Sequence, residues 1–201
     1  MVVYPDKSLF IDLCKQISRV PLYCQISFPG LNPTRLYWEI YRDVRESFIF
    51  ESSQGPQDTA RYSFFGCSNG KSIQVTQNPA WYQNSGFSDS MPYSTQTCFK
   101  QMDFEPASEI VDYLTHFWGG WVGYLAYDMA RRFENFSFSI KDGLNLPDLN
   151  FFQVDRLFVY DHISQVLKYI ISEKIDLSSE RHYQNVTEEI QKMVSFINRL
   201  D

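Results

Sequence analysis

The chain has 201 residues, of which 44% are hydrophobic and 21% charged, so it is long enough to bury a sizeable core. Aromatic residues make up 17%, a content typical of a sheet-rich interior. The net charge of −6 argues against nucleic acid as a partner, because phosphate backbones attract basic proteins.

The sequence also limits the compartment in which the protein is expected. No apolar run is long enough to cross a bilayer, and the first residues lack the basic start and apolar middle of a secretory signal. The four cysteines form no CxxC pair, which makes a zinc site unlikely on spacing alone. We therefore expect a cytoplasmic protein with reduced thiols and no membrane partner.

The first predicted elements are a helix, a strand and a second helix. Ser8 is predicted to cap a short helix whose apolar face carries Leu9, Leu13 and Ile17. Residues 21–26 are predicted to form a strand. Asn32 followed by Pro33 is typical of a helix cap with proline at the first helical position.

Three strands are predicted next, at residues 47–53, 61–67 and 72–77. Gly55-Pro56 and Asn69-Gly70 separate them, and both pairs are strong turn formers. This pattern predicts an antiparallel meander. Residues 77–103 are rich in Ser, Gln and Asn and are predicted to be a long surface segment, with a helix beginning at Pro106.

The last third of the chain alternates strands with a final helix. Residues 118–128 are strand-like but contain three glycines, which indicate a kink, a bulge or a close backbone approach. Residues 151–160 and 165–171 are predicted to be two apolar strands, and a helix with one apolar stripe should begin at Ser178 or Ser179. Together these elements predict an α+β fold of antiparallel sheets with flanking helices.

The common catalytic motifs are missing from the sequence. It contains no GxGxxG, no P-loop and no GxSxG. His116, His162 and His182 lie on separate predicted elements, so we expect no metal site. No catalytic residues are predicted on this chain.

One strand places a carboxylate among aromatic residues. Under period-two alternation Phe48, Phe50 and Ser52 share one face, while Ile49 and Glu51 share the other. Ser52 could meet the polar end of a bound small molecule. The alternative is that the strand simply reaches the rim of its sheet, and the pattern alone favours this alternative.

Four segments, in order, resemble component I of the anthranilate synthase and aminodeoxychorismate (para-aminobenzoate) synthase family. Residues 48–52 resemble its "LLES" strand, and residues 60–66 its "GRYSFIG" segment. Residues 119–128 are similar to "GGxVGYxxYD", and the stretch from Pro147 to His162 is similar to "PD…VxDH". The resemblance covers most of the chain, with its core at residues 20–171.

The resemblance implies a family but not its activity. It is to the N-terminal part of a layered α/β sandwich, so residues 1–201 are predicted to be one such domain with a C-terminal helix at 179–200. Full-length members continue into a chorismate-binding region that holds the catalytic residues and the magnesium ligands. We expect that region to be absent here, so no cofactor is expected on this chain.

The resemblance also implies a ligand pocket for L-tryptophan. Ser52, Arg61 and Tyr62 match family positions that contribute to it, and Glu51 lies beside them. The hydroxyl of Ser52 can hydrogen-bond the ligand, and Tyr62 can pack against an indole. The alternative for Arg61 is an ion pair with Glu51 or with an adjacent acidic residue.

The resemblance leaves the branch and the partners open. Phe48-Ile49-Phe50 replaces the leucine-rich start of "LLES", which would narrow the pocket. Residues 128–134 resemble a segment of some aminodeoxychorismate synthases. The strand similar to "LLES" favours the anthranilate branch, because in anthranilate synthases the tryptophan pocket mediates feedback inhibition. The expected partners are a chorismate-binding chain and a glutamine amidotransferase. A stand-alone tryptophan-binding module is the alternative function.

Overall fold

The structure is a computed structural model, and it describes residues 2–51, 61–75, 100, 102, 114, 117–127, 146–175 and 178–200. The chain divides into two compact units. The first comprises Met1–Asn69, Pro106–Gly120 and Val154–Asp201, and the second comprises Gly70–Glu105 and Trp121–Gln153. The expectation of one domain over residues 1–201 stays a prediction, because a compact unit is not by itself an independent domain.

Nine strands and three helices lie in the described part of the chain. The strands are β1 (Val3–Tyr4), β2 (Leu22–Ser27), β3 (Ser47–Phe50), β4 (Tyr62–Cys67), β5 (Ser72–Val75), β6 (Gly120–Leu125), β7 (Leu149–Val154), β8 (Arg156–Asp161) and β9 (Val166–Ile171). The helices are α1 (Lys7–Leu13), α2 (Pro33–Tyr41) and α3 (Ser179–Ile197).

The first unit is built on a six-stranded antiparallel sheet in the order β1-β2-β9-β8-β4-β3. One face of this sheet packs against the three helices. The strand register places Cys24, Tyr169, Phe158, Phe65 and Ile49 in one row across that face. The rings of Phe65, Phe158 and Tyr169 stack in sequence, with centroids 4.9 and 4.5 Å apart. This row forms the centre of the main core.

The second unit contains a three-stranded sheet in the order β5-β7-β6. Strand β5 pairs with β7, with Ile73 opposite Phe151 and Val75 opposite Leu149. The side chains of Val75, Met102 and Leu149 are buried together and form the centre of a separate core.

The glycines of residues 118–128 behave as the sequence predicted. Gly119 and Gly120 have φ angles of +154° and +126°, which favour glycine. A Cβ at Gly119 would collide with the hydroxyl of Ser172. A Cβ at Gly123 would overlap the carbonyl oxygen of Asn150 on β7. The missing side chain therefore lets β6 lie close to the backbone of β7.

Several other predictions from the sequence are confirmed. The fold class is α+β with antiparallel sheets and flanking helices. The side chain of Asn32 caps α2 by accepting a hydrogen bond of 2.9 Å from the N–H of Arg35. The C-terminal helix follows Ser178 and buries Val186, Ile190 and Ile197. Apart from these predictions, none of the helices that the structure describes combines the length and the apolar character needed to cross a membrane.

The first helix begins earlier in the chain than the sequence predicted. Its cap is Asp6, not Ser8, because the carboxylate of Asp6 accepts a hydrogen bond of 2.9 Å from the N–H of Leu9. The helix therefore starts one residue before Ser8 and ends at Leu13, so its buried residues are Phe10 and Leu13.

The predicted pairing of the meander and the predicted single strand over residues 151–160 were wrong for one reason. The predicted meander is broken because β5 pairs with β7 in the second sheet and not with β4. The apolar run of residues 151–160 covers parts of two strands, β7 and β8, which separate at Asp155 and belong to different sheets. Alternation of apolar residues identifies strands but does not identify their partners. The predicted segments at 77–99 and 106–113 lie outside the described residues.

Candidate functional site

The face of the six-stranded sheet opposite the helices carries the candidate site, and we call it the second face. Its residues form three rows, assigned from the strand register. The first row is Tyr23, Ile170, Leu157, Gly66 and Phe48; the second is Gln25, Lys168, Val159, Phe64 and Phe50; the third is Ser27, Val166, Asp161 and Tyr62. Successive side chains alternate between faces, so these residues all point away from the helices.

Burial falls across the three rows. Ile170, Leu157 and Phe48 in the first row are buried. Phe117 packs edge-on against both Phe48 and Phe64, with each pair of ring centroids 6.4 Å apart. Phe50 in the second row, by contrast, is 54% exposed. The second face is thus aromatic and buried along one side and open to solvent along the other.

A cavity of about 270 Å³ lies on the open side of the second face. Its lining residues are Gln25, Tyr62, Val159, Asp161, Ser164, Val166 and Lys168. Apolar floor, aromatic wall and several polar groups therefore meet in one small concave surface.

Arg61 and Asp161 form a bidentate ion pair at the edge of this cavity. The Nη2 of Arg61 donates to Oδ2 of Asp161 at 2.8 Å, and its Nε lies 3.2 Å from both carboxylate oxygens. Oδ1 also accepts hydrogen bonds from the backbone N–H groups of Ile163 (2.9 Å) and Ser164 (3.3 Å). Asp161 thus joins β4 to the β8–β9 turn.

The ionised form of Asp161 is strongly favoured. Partial burial alone would raise its pKa, but the hydrogen bonds from Arg61 and from the turn outweigh that effect and hold the pKa well below its ordinary value. The same ion pair raises the pKa of Arg61 above its ordinary value. The pair is therefore fully charged at neutral pH.

Tyr62 forms the aromatic wall of the cavity. The guanidinium carbon of Arg61 lies 4.9 Å from the centroid of its ring, a cation–π arrangement. Burial, followed by the negative charge of Asp161, raises the pKa of its hydroxyl. Tyr62 therefore presents a neutral phenol.

Of the four residues that the resemblance put together, the structure describes Glu51, Arg61 and Tyr62. Arg61 and Tyr62 are neighbours at the cavity. Glu51 follows β3, and its Oε2 accepts a hydrogen bond of 2.7 Å from the hydroxyl of Thr34 at the start of α2. Its contact thus lies on the helix side of the sheet. Ser52 lies outside the described residues. The ion pair considered for Arg61 exists, but its acid is Asp161 and not Glu51.

The sequence reasoning missed three residues of the cavity: Asp161, Lys168 and Gln25. A signal was available for two of them. Strands β8 and β9 are almost wholly apolar, so a lysine at the centre of β9 and an aspartate at the end of β8 are unexpected there. Gln25 could not be recognised, because its partner Lys168 becomes apparent only from the register.

A second charged cluster lies on the helix side of the same sheet and is structural. Arg156 donates to Glu189 on α3 at 2.6 Å, to Glu173 at 2.6 Å and to Asp155 at 2.8 Å. Arg156 thereby connects α3 to the N-terminal end of β8. The guanidinium and the three carboxylates neutralise one another within a partly buried site. Among the residues that the structure describes, no group of three His, Cys, Asp or Glu side chains could hold a metal ion.

Sequence comparison connects this fold to known proteins. No model of a known protein family matches the sequence. The probable anthranilate synthase component 1 of Schizosaccharomyces pombe is 28% identical over 179 residues, which is 85% of this chain. Over most of its length, this chain is similar to component 1 of anthranilate synthase. The match covers only 32% of the S. pombe protein, so the chain spans about a third of the length of this curated relative.

Two further comparisons gave partial matches. The aminodeoxychorismate synthase component 1 of Bacillus subtilis is 41% identical, but over only 69 residues, or 34% of this chain. The crystal structure of anthranilate synthase component I from Streptococcus pneumoniae TIGR4 aligns with 86% of this chain and 36% of its own, with 17% identity and a TM-score of 0.41. Sequence similarity therefore extends to both branches named by the resemblance.

Proposed function

We propose that this chain is a non-catalytic, regulatory and structural part of an anthranilate synthase component I-like protein. The observation that carries the proposal is the extent of the match: most of this chain aligns with about a third of its S. pombe relative. In that arrangement a separate chorismate-binding part supplies the catalytic residues and the magnesium site, and a glutamine amidotransferase is a further partner. The chain alone does not convert chorismate.

The second face supports a docking role. Phe50 lies on β3, which is an edge strand of the six-stranded sheet among the described residues. Its side chain is more than half exposed and lies beside the rings of Phe48 and Phe64. Burying such aromatic side chains is favourable by about 2 kcal/mol each. The chorismate-binding part is the partner proposed for this surface, since the relatives contain the additional sequence within one protein.

Tryptophan is the proposed regulatory ligand. Arg61 and Tyr62 lie together at the edge of the second face, where a docked partner could complete a pocket around an indole. Glu51 lies at the end of the strand. We do not place its carboxylate in the wall of the pocket, because it accepts a hydrogen bond from Thr34. We expect L-tryptophan to inhibit the assembled enzyme.

A complementation experiment tests this proposal. The full chain is assayed with chorismate, ammonia and Mg²⁺, both alone and mixed with a chain containing the part of the S. pombe relative that it does not match. Anthranilate fluorescence should stay at background for either chain alone and rise for the mixture. Added L-tryptophan should then reduce the rate.

Each result has a defined meaning for the proposal. Turnover by this chain alone would refute the non-catalytic assignment. Absence of both turnover and binding in the mixture would refute docking. The same mixture assayed for aminodeoxychorismate with an added lyase distinguishes the two branches. Activity that is insensitive to L-tryptophan would be consistent with docking but would refute the proposed regulation.

A further inference from the structure

The cavity on the second face contains a cation that no described acid neutralises. Lys168 lies at the centre of β9, with Gln25 and Val159 as its cross-strand neighbours. Its ammonium lies 5.5 Å from the ring centroid of Tyr23. Within the described ranges no carboxylate forms an ion pair with it, whereas Arg61 and Arg156 both have such partners.

The other charged group of the cavity is already satisfied. Both carboxylate oxygens of Asp161 accept hydrogen bonds from Arg61, and Oδ1 accepts two more from the β8–β9 turn. Asp161 is therefore unsuited to holding a cationic ligand. The charge left to attract a ligand is the positive charge of Lys168.

The remaining walls determine the rest of the ligand. Gln25 offers a side-chain amide, which can donate to carboxylate oxygens. Tyr62, Val159 and Val166 supply an aromatic wall and an aliphatic floor. The volume of about 270 Å³ is below the range of about 300–1,000 Å³ found for drug-sized ligands, so the occupant is small.

We propose that this cavity binds a small organic carboxylate with an apolar body. The carboxylate pairs with Lys168, and the apolar body lies against Tyr62 and Val166. The site is distinct from the charged cluster around Arg156, which lies on the helix side of the sheet. The site shares Tyr62 with the pocket proposed for L-tryptophan, but its other groups lie on β2, β8, β9 and the turn between the last two. It therefore needs no docked partner and does not rest on the proposed function.

The test uses the full chain alone and two ligands of nearly the same shape. Phenylacetate carries the carboxylate, and phenylacetamide replaces it by a neutral amide. Titration followed by NMR should show phenylacetate binding with a dissociation constant on the order of millimolar and shifts at residues 62, 159 and 168. Phenylacetamide should bind about tenfold more weakly, because it loses a charge-assisted hydrogen bond.

A matched pair of lysine variants completes the test. Lys168→Met should weaken phenylacetate binding about tenfold and leave phenylacetamide binding unchanged. Lys15→Met should change neither, because Lys15 forms an exposed ion pair with Asp12 on another surface. Equal binding of the two ligands, full retention of binding by Lys168→Met, or no binding of phenylacetate would each overturn the proposal. The ligand comparison still decides the question if Lys168→Met does not fold.

Discussion

One carboxylate, that of Asp161, connects local chain geometry to the candidate site. Its hydrogen bonds to Ile163 and Ser164 stabilise the turn that follows β8, and its ion pair with Arg61 connects that turn to β4. Because it accepts from four donor groups, it is held in one position beside the cavity. Because Asp161 is already paired with Arg61, Lys168 is the cation that we propose for ligand binding.

Replacing Asp161 by asparagine should destabilise the chain in a pH-dependent manner. The pKa of Asp161 is lower in the folded chain than its ordinary value of about 3.9. Its ionised form therefore contributes stability above about pH 4, and that contribution is lost as the pH falls toward the folded pKa. We expect Asp161→Asn to lower the free energy of unfolding by about 1 kcal/mol at pH 7, with a smaller difference below pH 4.

Urea denaturation at several pH values measures this effect. Asp43→Asn is the matched control, because the Asp43 side chain is 93% exposed and its contact with Arg42 is long, at 3.6 Å. The control should behave like the unmodified chain at every pH. An equal difference for Asp161→Asn at pH 3 and pH 7 would contradict the assigned role of the carboxylate.

At the scale of elements, glycine determines how closely β6 approaches β7. The position of a Cβ at Gly123 is already filled by the backbone of Asn150 and Phe151. Any side chain must therefore push the two strands apart. The adjoining backbone hydrogen bond from the N–H of Ala126 to the carbonyl of Asp148 depends on that spacing.

Gly123→Ala should destabilise the second unit through this clash. The expected cost is about 2–3 kcal/mol, the range for overpacking against a rigid backbone. Gly70→Ala is the control within the same unit. It has a φ of +93° but no atom within 4 Å of the added Cβ, so it should cost only about 1 kcal/mol of backbone strain.

Hydrogen exchange at the backbone N–H of residue 126 measures the effect where it occurs. Exchange there should accelerate in Gly123→Ala and remain nearly unchanged in Gly70→Ala. Similar protection in both variants would mean that β6 and β7 can separate without cost.

Elements with local signals were predictable, and pairings between distant elements were not. Asn32-Pro33 determined the start of α2, because a cap depends only on neighbouring residues. The apolar run at residues 151–160 showed that strands were present but not that the chain changes sheets at Asp155. In the candidate site, Arg61 and Tyr62 were named from the resemblance, whereas the pairing of Gln25 with Lys168 became visible only from the strand register.

At the scale of the whole molecule, the two sides of the first unit differ in what covers them. The helix side is closed by α1, α2 and α3 around one continuous core. On the second face Phe50 remains 54% exposed beside Phe48 and Phe64. A partner that completes the protein should therefore contact the second face and leave the outer surface of the helices free.

Two substitutions of exposed aromatic residues distinguish these surfaces. Phe50→Lys places a charge on the second face, and Trp38→Lys places the same charge on α2, where Trp38 is 59% exposed. Since burying an unpaired lysine in an apolar contact is costly, Phe50→Lys should weaken association with the chorismate-binding chain at least about tenfold. Trp38→Lys should associate and restore turnover like the unmodified chain. The opposite ranking would place the docking surface on the helices, and equal binding by both variants would exclude the exposed edge of the second face from the interface.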